Sequence, residues 1–594
     1  MRASILLLAL GSYLAVPFQL TESVFWTSGL GDWMDPYFIN YLLEHWFRSA
    51  VDLHDPASPP MFYPAQGTLG YSHGLVLYAP FYVPPRLFLH PFQAYNLTIF
   101  LVLATGTLCF YALLRRFFRL SFVESLLLCA LFLASPNVTD GSLGAWSQRA
   151  SVFLIPPILM IHLISLQMPK GALSTVLALV AGLLSTLLFT QDFHTAIFAL
   201  FLAIALLVPA ALIAQPTAFR ALSSFWKNQS TTASIALAIG LLATIWSGWL
   251  LMTGGGGLEL LGVSLTSRDW RRPALIAIAA VIVWVWLRGA SNLRSLRHRA
   301  TPRRVAFAGG CIAGLFVFVS IYLDVYLEHR AFPESELLNA LFVRDPSRWH
   351  DLSSLVGDLR GYESLGPFVV VAGLTVLAFA ARGPIDHMAR LYLLWSSVVS
   401  LIVLLMPLRL GDFSIWRTAF EPLPGFSAIR DPKRIIYVYE LAVALTVGWF
   451  LARLPRGSLL RVSTALLVVA VVVAHRHVPS FVILRPNTVH ARWVDAPIDI
   501  DPGCRSFYIK PASNVYSDRP NSAWTVYHLD AMYIAFAHSL PTLNGYSAWA
   551  PPGWGIGNPQ EAGYLDAVRK WIDQNKLENV CELDIERRTM RARS

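Results

Sequence analysis

"GLGDWMDPYFINYLLEHW", Gly29 to Trp46, places two aspartates three residues apart, directly after a run of about twenty apolar residues. That run, "MRASILLLALGSYLAVPFQL" (1–20), carries one Arg and no convincing small-x-small cleavage site, so it is expected to be an uncleaved first membrane helix rather than a signal peptide. Either choice puts the next segment outside. Asp35 precedes Pro36 and "YFINYLLEHWF", in which Phe38, Leu42 and Trp46 keep helical spacing. Asp35 is therefore expected to be an N-cap and Pro36 the first helical residue. Asp32 has no such duty: it stands in a Gly-flanked turn before a helix N-terminus, which favours its ionised form.

The 594 residues are 55% hydrophobic and only 14% charged, with a mean hydropathy of +0.52. This is too apolar for a soluble multidomain enzyme and reads as a multi-pass membrane protein. The net charge of +10 sits in short basic clusters between apolar runs, as the positive-inside rule expects, so nucleic acid is not the expected partner. Apolar runs at roughly 3–20, 92–114, 122–136, 150–168, 172–190, 194–214, 234–252, 273–288, 305–323, 366–381, 389–406, 434–452 and 462–474 predict about thirteen spans. Residues 74–90, "GLVLYAPFYVPPRLFLH", contain three prolines and an Arg, which favours a juxtamembrane or re-entrant piece. Omitting it as a span places "RRFFR" (115–119), "RGASNLRSLRHRATPRR" (288–304) and "RLPRGSLLR" (453–461) inside, with the N-terminus inside and the C-terminus outside. "SRDWRR" (267–272) alone would put three arginines outside.

The expected fold is mainly α: a polytopic helical bundle (1–474) with a first outer loop at about 21–91, followed by a separate small α+β extracytoplasmic domain (475–594). In that domain "CRSFYIK" (504–510) and "VCELDIE" (580–586) read as strands and "EAGYLDAVRKWIDQNKL" (561–577) as a helix. Cys504 and Cys581 are disulfide candidates if it lies outside, with two unrelated thiols as the alternative.

Three further stretches hold candidate chemistry. "LLFTQDFHTAIF" (187–198) sets Asp192 and His194 at an outward turn, where capping is the plain alternative. "SPNVTDGSLGAWSQRAS" (135–151) offers Asp140, with ordinary turn chemistry as its alternative, and Arg149, a cation at a helix start that points to an anionic ligand. "FSAIRDPKRIIYVYELAVAL" (426–445) places Arg430, Lys433 and Arg434 at the outer surface, where they meet either lipid headgroups or a lipid phosphate.

An Asp-bearing first outer loop after one membrane helix, a re-entrant piece, about a dozen further spans and an outward C-terminal domain resemble the GT-C superfamily of polyprenyl-phosphate-dependent glycosyltransferases. "GDWMDPYFINY", "MFYPAQGTLGYSHGLVLYAPFY" (61–82), "RDPKRIIYVYELAVAL" and "PTLNGYSAWAPPGW" (541–554) look like those of poorly characterised bacterial multi-pass proteins placed near these enzymes. The resemblance implies transfer of a sugar from a polyprenyl-phosphate donor to a glycan, lipid or protein acceptor on the outer face of a bacterial cytoplasmic membrane. It maps the first-loop acid onto Asp32, with Asp35 second, and a further acid onto Asp140 or Asp192. Neither turn has an Asp-x-Asp pair, so no divalent metal is assigned. A departing polyprenyl phosphate calls for a base, assigned to Asp32, and for cations, assigned to Arg430 with Lys433 or Arg434. His73 and His194 are candidate acceptor-side or sugar contacts. Direct displacement would invert the sugar carbon. The competing classes are a transporter or flippase of lipid-linked sugars, which predicts polar residues inside the spans, and a non-catalytic envelope assembly protein on the same scaffold.

Overall fold

The computed structural model describes residues 26–133, 147–207, 301–331, 365–381, 385–410, 432–476, 484–510, 525–547 and 549–592, with short pieces between 209 and 276 and at 350–351, 413–416 and 429. These residues are mostly helical. Among the described residues, six helices are long and apolar enough to cross a membrane: Pro91–Arg116, Ser147–Gln167, Ala172–Gln191, Pro302–Val325, His387–Leu405 and Pro432–Leu451. Shorter apolar helices cover Phe122–Leu133, Phe193–Leu206, Gly366–Ala380 and Leu459–Val473. The expected span at 3–20 lies outside the described residues, as do most of those at 234–252 and 273–288.

We label the elements in chain order. A short strand β1 (Ser28–Leu30) leads into α1 (Asp35–Val51), α2 (Ala79–Arg86), α3 (Pro91–Arg116) and α4 (Phe122–Leu133). After a turn of 3-10 helix at Ser147–Leu154 come α5 (Ile155–Gln167), α6 (Ala172–Gln191), α7 (Phe193–Leu202), α8 (Pro302–Ala331), α9 (Leu365–Ala380), α10 (His387–Leu405), α11 (Ile435–Leu451) and α12 (Leu459–Arg476). The 74–90 stretch forms only the eight residues of α2, with Pro84 and Pro85 inside it and turns on either side. Proline has no N–H to donate, so a helix built on three prolines stays short.

Large apolar side chains face outward along the long helices, among them Ile312, Phe316, Leu394 and Val398. In water such stripes would be costly, but against lipid they are the expected outer surface of a bundle. Inward, α6 and α8 approach until backbones touch. A Cβ at Gly182 would stand 2.1 Å from the Phe307 carbonyl oxygen, and one at Gly310 would stand 2.0 Å from that of Leu179. Small residues permit this spacing, which gains dispersion contacts where no hydrophobic force acts between spans. At the opposite end from the first loop, Arg303 donates to the Ser165 and Met168 carbonyls at 2.9 and 2.7 Å and closes the α5 C-terminus. Arg461 holds Glu124 with two nitrogens, so the acid of α4 is an ion pair between helices.

Past α12, β2 (Leu484–Pro486), β3 (Asp499–Ile500), β4 (Ser506–Ile509), α13 (Thr525–His538), α14 (Tyr564–Asn575), β5 (Val580–Asp584) and β6 (Thr589–Ala592) make the α+β region. Its sheet runs β3-β6-β5-β4, with β6 antiparallel to β5 and the outer pairs parallel. Cys504 and Cys581 are joined as a disulfide.

Packing crosses the boundary expected at residue 475. β2 pairs with β1 across the chain, Ser28 opposite Pro486. α13, buried on nearly every side, stacks Tyr533 on Tyr37 at 4.5 Å and Phe536 on Tyr41 at 4.6 Å. The backbone of the first loop hydrogen-bonds the later chain as well, Tyr63 N to Thr542 O at 2.9 Å. One continuous hydrophobic core therefore includes Tyr37, Phe62, Phe92, Phe507 and Met532, and the C-terminal residues complete the first loop rather than standing apart.

Replacing Gly310 with Leu is expected to force α6 and α8 apart at a cost of about 1–3 kcal/mol, read as a lowered thermal midpoint in detergent. Gly309→Leu is the control, because its Cβ would meet only a Leu179 methyl at 3.8 Å. Equal loss in both variants would contradict the close packing.

Candidate functional site

Asp32 and Asp35 stand where the first loop meets the C-terminal region. α1 begins at Asp35, but no side chain caps it. The Asp35 carboxylate instead accepts from the Tyr546 hydroxyl at 2.8 Å, a partner 511 residues away. The expected cap is thus corrected: a long-range hydroxyl outcompetes the local backbone for this carboxylate. Asp32 carries the local bond, its Oδ1 accepting from Met34 N at 2.9 Å. Burial raises the Asp32 carboxyl above its ordinary range; the Met34 N–H opposes this, the Asp35 charge adds to it, and Arg485 opposes it.

Arg485, in β2, is wholly buried. Its guanidinium lies over the rings of Tyr37, Phe92 and Tyr95 at 5.1 to 5.5 Å, and one nitrogen donates to the Asp32 carbonyl at 3.0 Å. Its Nε and Nη2 have no hydrogen-bond acceptor. Three aromatic faces substitute for acceptors, and a cation is held beside Asp32. Nothing in "ILRPNT" singles this arginine out.

A second cluster forms where α6 ends. Asp192, 1% exposed, caps α7 through His194 N at 3.2 Å, and its other oxygen accepts from the Thr195 hydroxyl at 2.5 Å. Its Oδ1 faces two imidazoles, His73 Nδ1 at 3.5 Å and His194 Nδ1 at 3.5 Å. Burial pushes the Asp192 carboxyl up, but the bonds from His194 and Thr195 and the two imidazoles outweigh it and hold the acid well below the usual carboxylate range. Burial also holds His73 down to about 4, against the pull of Asp192, so it is neutral at pH 7. Among the described residues, these three side chains are the group of three or more His, Cys, Asp or Glu close enough to share an ion, with ligand atoms all within 4.8 Å.

Local structure explains how a loop histidine reaches this turn. Gly74 N donates to Thr190 O at 2.8 Å and Leu75 N to Gln191 O at 3.3 Å, while the Gln191 side chain accepts from Leu77 N at 2.8 Å. A Cβ at Gly74 would stand 2.8 Å from Thr190 O, so the pairing needs glycine there. Trp46, on α1, donates to Gly74 O at 2.6 Å, and Tyr322 from α8 donates to Ser72 O at 3.0 Å.

Both described arginines of the expected phosphate site lie within electrostatic reach of Tyr437, as Asp192 does. Arg434 lies within electrostatic reach of His73, and the Tyr437 hydroxyl feels Asp192, Arg434 and Arg149 together. The Arg149 guanidinium stands 5.7 Å from the Tyr437 ring centre. Lys433 adjoins Arg434 in the one-turn helix Pro432–Arg434. Asp140 and Arg430 lie outside the described residues.

The two acid sites are bridged. Tyr95, within reach of the Asp32 charge, donates to Ser147 Oγ at 2.5 Å. Tyr78 donates to Ser147 O at 3.2 Å and accepts from Ser151, which accepts from Gln191 Nε2 at 3.1 Å, one residue from Asp192. On the other flank, Ser547, next to Tyr546, donates to Tyr71 O at 2.6 Å.

The chain matches no protein-family model and no curated protein.

A buried arginine with unpaired nitrogens is an electrostatic device more than a stabilising one. Arg485→Met, which refills the volume, is expected to keep the thermal midpoint of wild type or raise it, while Arg485→Ala lowers it by several degrees through the cavity. A large loss in the Met variant would show that the cation itself holds the fold.

Proposed function

We propose that the chain is a membrane glycosyltransferase that moves a sugar from a polyprenyl-phosphate donor to an acceptor at the outer membrane face. The observation that carries the reading is the His73–Asp192–His194 cluster, with Asp192 buried, at the loop end of the helices, Arg434 within electrostatic reach of His73 and Arg149 5.7 Å from the ring centre of Tyr437. Two guanidiniums at the mouth of a lipid-facing bundle suit the phosphate of a lipid anion, and the arginine fork matches its oxygens. With the first loop outside, as the distribution of basic residues favours, this end faces away from the cytoplasm.

In this reading the two acids have different tasks. Asp192, tied by Thr195 and His194 and held ionised, is a poor proton acceptor and orders the cluster. Asp32, with a raised affinity for protons, is the better base. Its carboxylate takes the proton of an acceptor hydroxyl as that oxygen bonds to the anomeric carbon. The carbon–oxygen bond to phosphate breaks, and the polyprenyl phosphate leaves with its electron pair, its charge met by Arg149 and Arg434. Displacement from one side inverts the carbon. Transport of a lipid-linked sugar is the second reading, favoured by Glu440, an acid buried within α11.

Asp32→Asn in proteoliposomes supplied with a panel of polyprenyl-phosphate sugars is expected to lower transfer about 10²- to 10⁴-fold. Arg434→Gln is expected to weaken donor binding instead. Unchanged transfer in the Asp32 variant would remove it as base, and movement of donor across the bilayer without any transfer would favour transport. Because the base must be ionised and its pKa is raised, the rate should fall on the acid side at a higher pH than an ordinary aspartate would cause. The pH profile of kcat/KM checks this.

A further inference from the structure

We infer that His73, Asp192 and His194 form a binding site for a divalent first-row transition metal of the zinc class. No local motif in the chain announces it, since His73 lies in the first loop and the other two lie at the α6–α7 turn, about 120 positions further on.

The distances carry the inference. Zinc binds imidazole nitrogen at about 2.0–2.1 Å and carboxylate oxygen at about 2.0–2.2 Å, so two ligands at a tetrahedral angle lie about 3.4 Å apart. Asp192 Oδ1 is 3.5 Å from Nδ1 of each histidine. The two rings stand 5.4 Å apart at 63°, splayed around the carboxylate rather than stacked, with all three ligand atoms inside 4.8 Å. Two ring nitrogens facing one carboxylate oxygen at this separation make long hydrogen bonds, but they fit an ion placed between them.

The surroundings are those of a metal centre. Asp192 is buried and oriented through its second oxygen by Thr195, the kind of outer contact that fixes a ligating carboxylate. The backbone bonds at Gly74 and Leu75 fix the loop next to His73, and α7 holds His194, so the ligands come from ordered elements. Nitrogen donors select the metal class: two imidazoles and one carboxylate suit zinc, iron, cobalt or nickel, whereas magnesium prefers oxygen and water. Three protein ligands leave a coordination position open, as in hydrolytic zinc sites, and the nearby Arg149 and Arg434 mark that opening for an anionic oxygen. The anionic oxygen at that opening rests on the transferase reading; metal binding itself does not.

The test uses the metal alone on full-length, chelator-stripped protein in detergent. One equivalent of Zn²⁺ is expected to bind and to resist millimolar Mg²⁺, and Co²⁺ added to the stripped protein in its place is expected to give the visible absorption of a low-coordinate nitrogen–oxygen site, which Zn²⁺ then bleaches. His73→Gln and His194→Gln should each weaken Zn²⁺ binding at least tenfold while eluting from size exclusion as wild type does. His538→Gln, a histidine away from the cluster, should leave it unchanged. No stoichiometric binding, or binding indifferent to both cluster variants, would overturn the inference. If zinc binds there and no donor is ever used, the transferase reading fails and the metal site stands. If sugar transfer survives with Zn²⁺ binding absent, the metal site fails and the reading stands.

Discussion

The arrangement depends on the backbone pairing between residues 74–77 of the first loop and the end of α6. Three hydrogen bonds, from the N–H groups of Gly74, Leu75 and Leu77 to Thr190 and Gln191, hold two segments more than a hundred residues apart. The pairing leaves the C-terminal turn of α6 no room for a side chain at position 74. From it follow the seat of His73 beside Asp192, the anchoring of Trp46, and the contact of Tyr322 that ties α8 to both segments. The glycine contacts between α6 and α8 matter for the same reason, since they set where the end of α6 stands.

Around that seam the charges are balanced in a setting that is poor in water. Asp192 is buried yet ionised because hydroxyl, backbone N–H and imidazoles replace its hydration. Arg485 is buried with three aromatic faces for company. Groups fixed in this way need little rearrangement on binding, and the interactions they make are stronger than they would be in water. The Tyr95–Ser147–Tyr78–Ser151–Gln191 series joins the Asp32 side to the Asp192 side, so the two acids belong to one ordered framework.

Much of this was legible in the sequence wherever the signal is local. Apolar runs located the long helices, three prolines broke the 74–90 stretch, and the strand and helix patterns at 504–510, 561–577 and 580–586 match β4, α14 and β5. Asp192 and His194 were readable because a polar turn between two apolar helices is conspicuous. What was not legible is long-range. Capping logic assigned Asp35 to its own helix, but Tyr546 takes that carboxylate. Helix α13 carries apolar residues on every face, so it shows no amphipathic period. Arg485 looks like any loop arginine until three rings from α1 and α3 enclose it, and His73 joins Asp192 only through the backbone pairing. The boundary expected at residue 475 follows the end of the apolar runs, a local signal, and the core that runs through Tyr37 and Tyr533 crosses it.

The central claim is that one anion site exists where Arg149, Arg434 and the His73–Asp192–His194 cluster meet. An electron cryomicroscopy structure of the full chain in nanodiscs with added polyprenyl phosphate tests it most directly. The account predicts phosphate density between Arg149 and Arg434, facing the Asp192 turn, with the isoprenoid tail leaving along the lipid-facing helices. Phosphate density at another place on the bundle, with this cluster left to water, would contradict it.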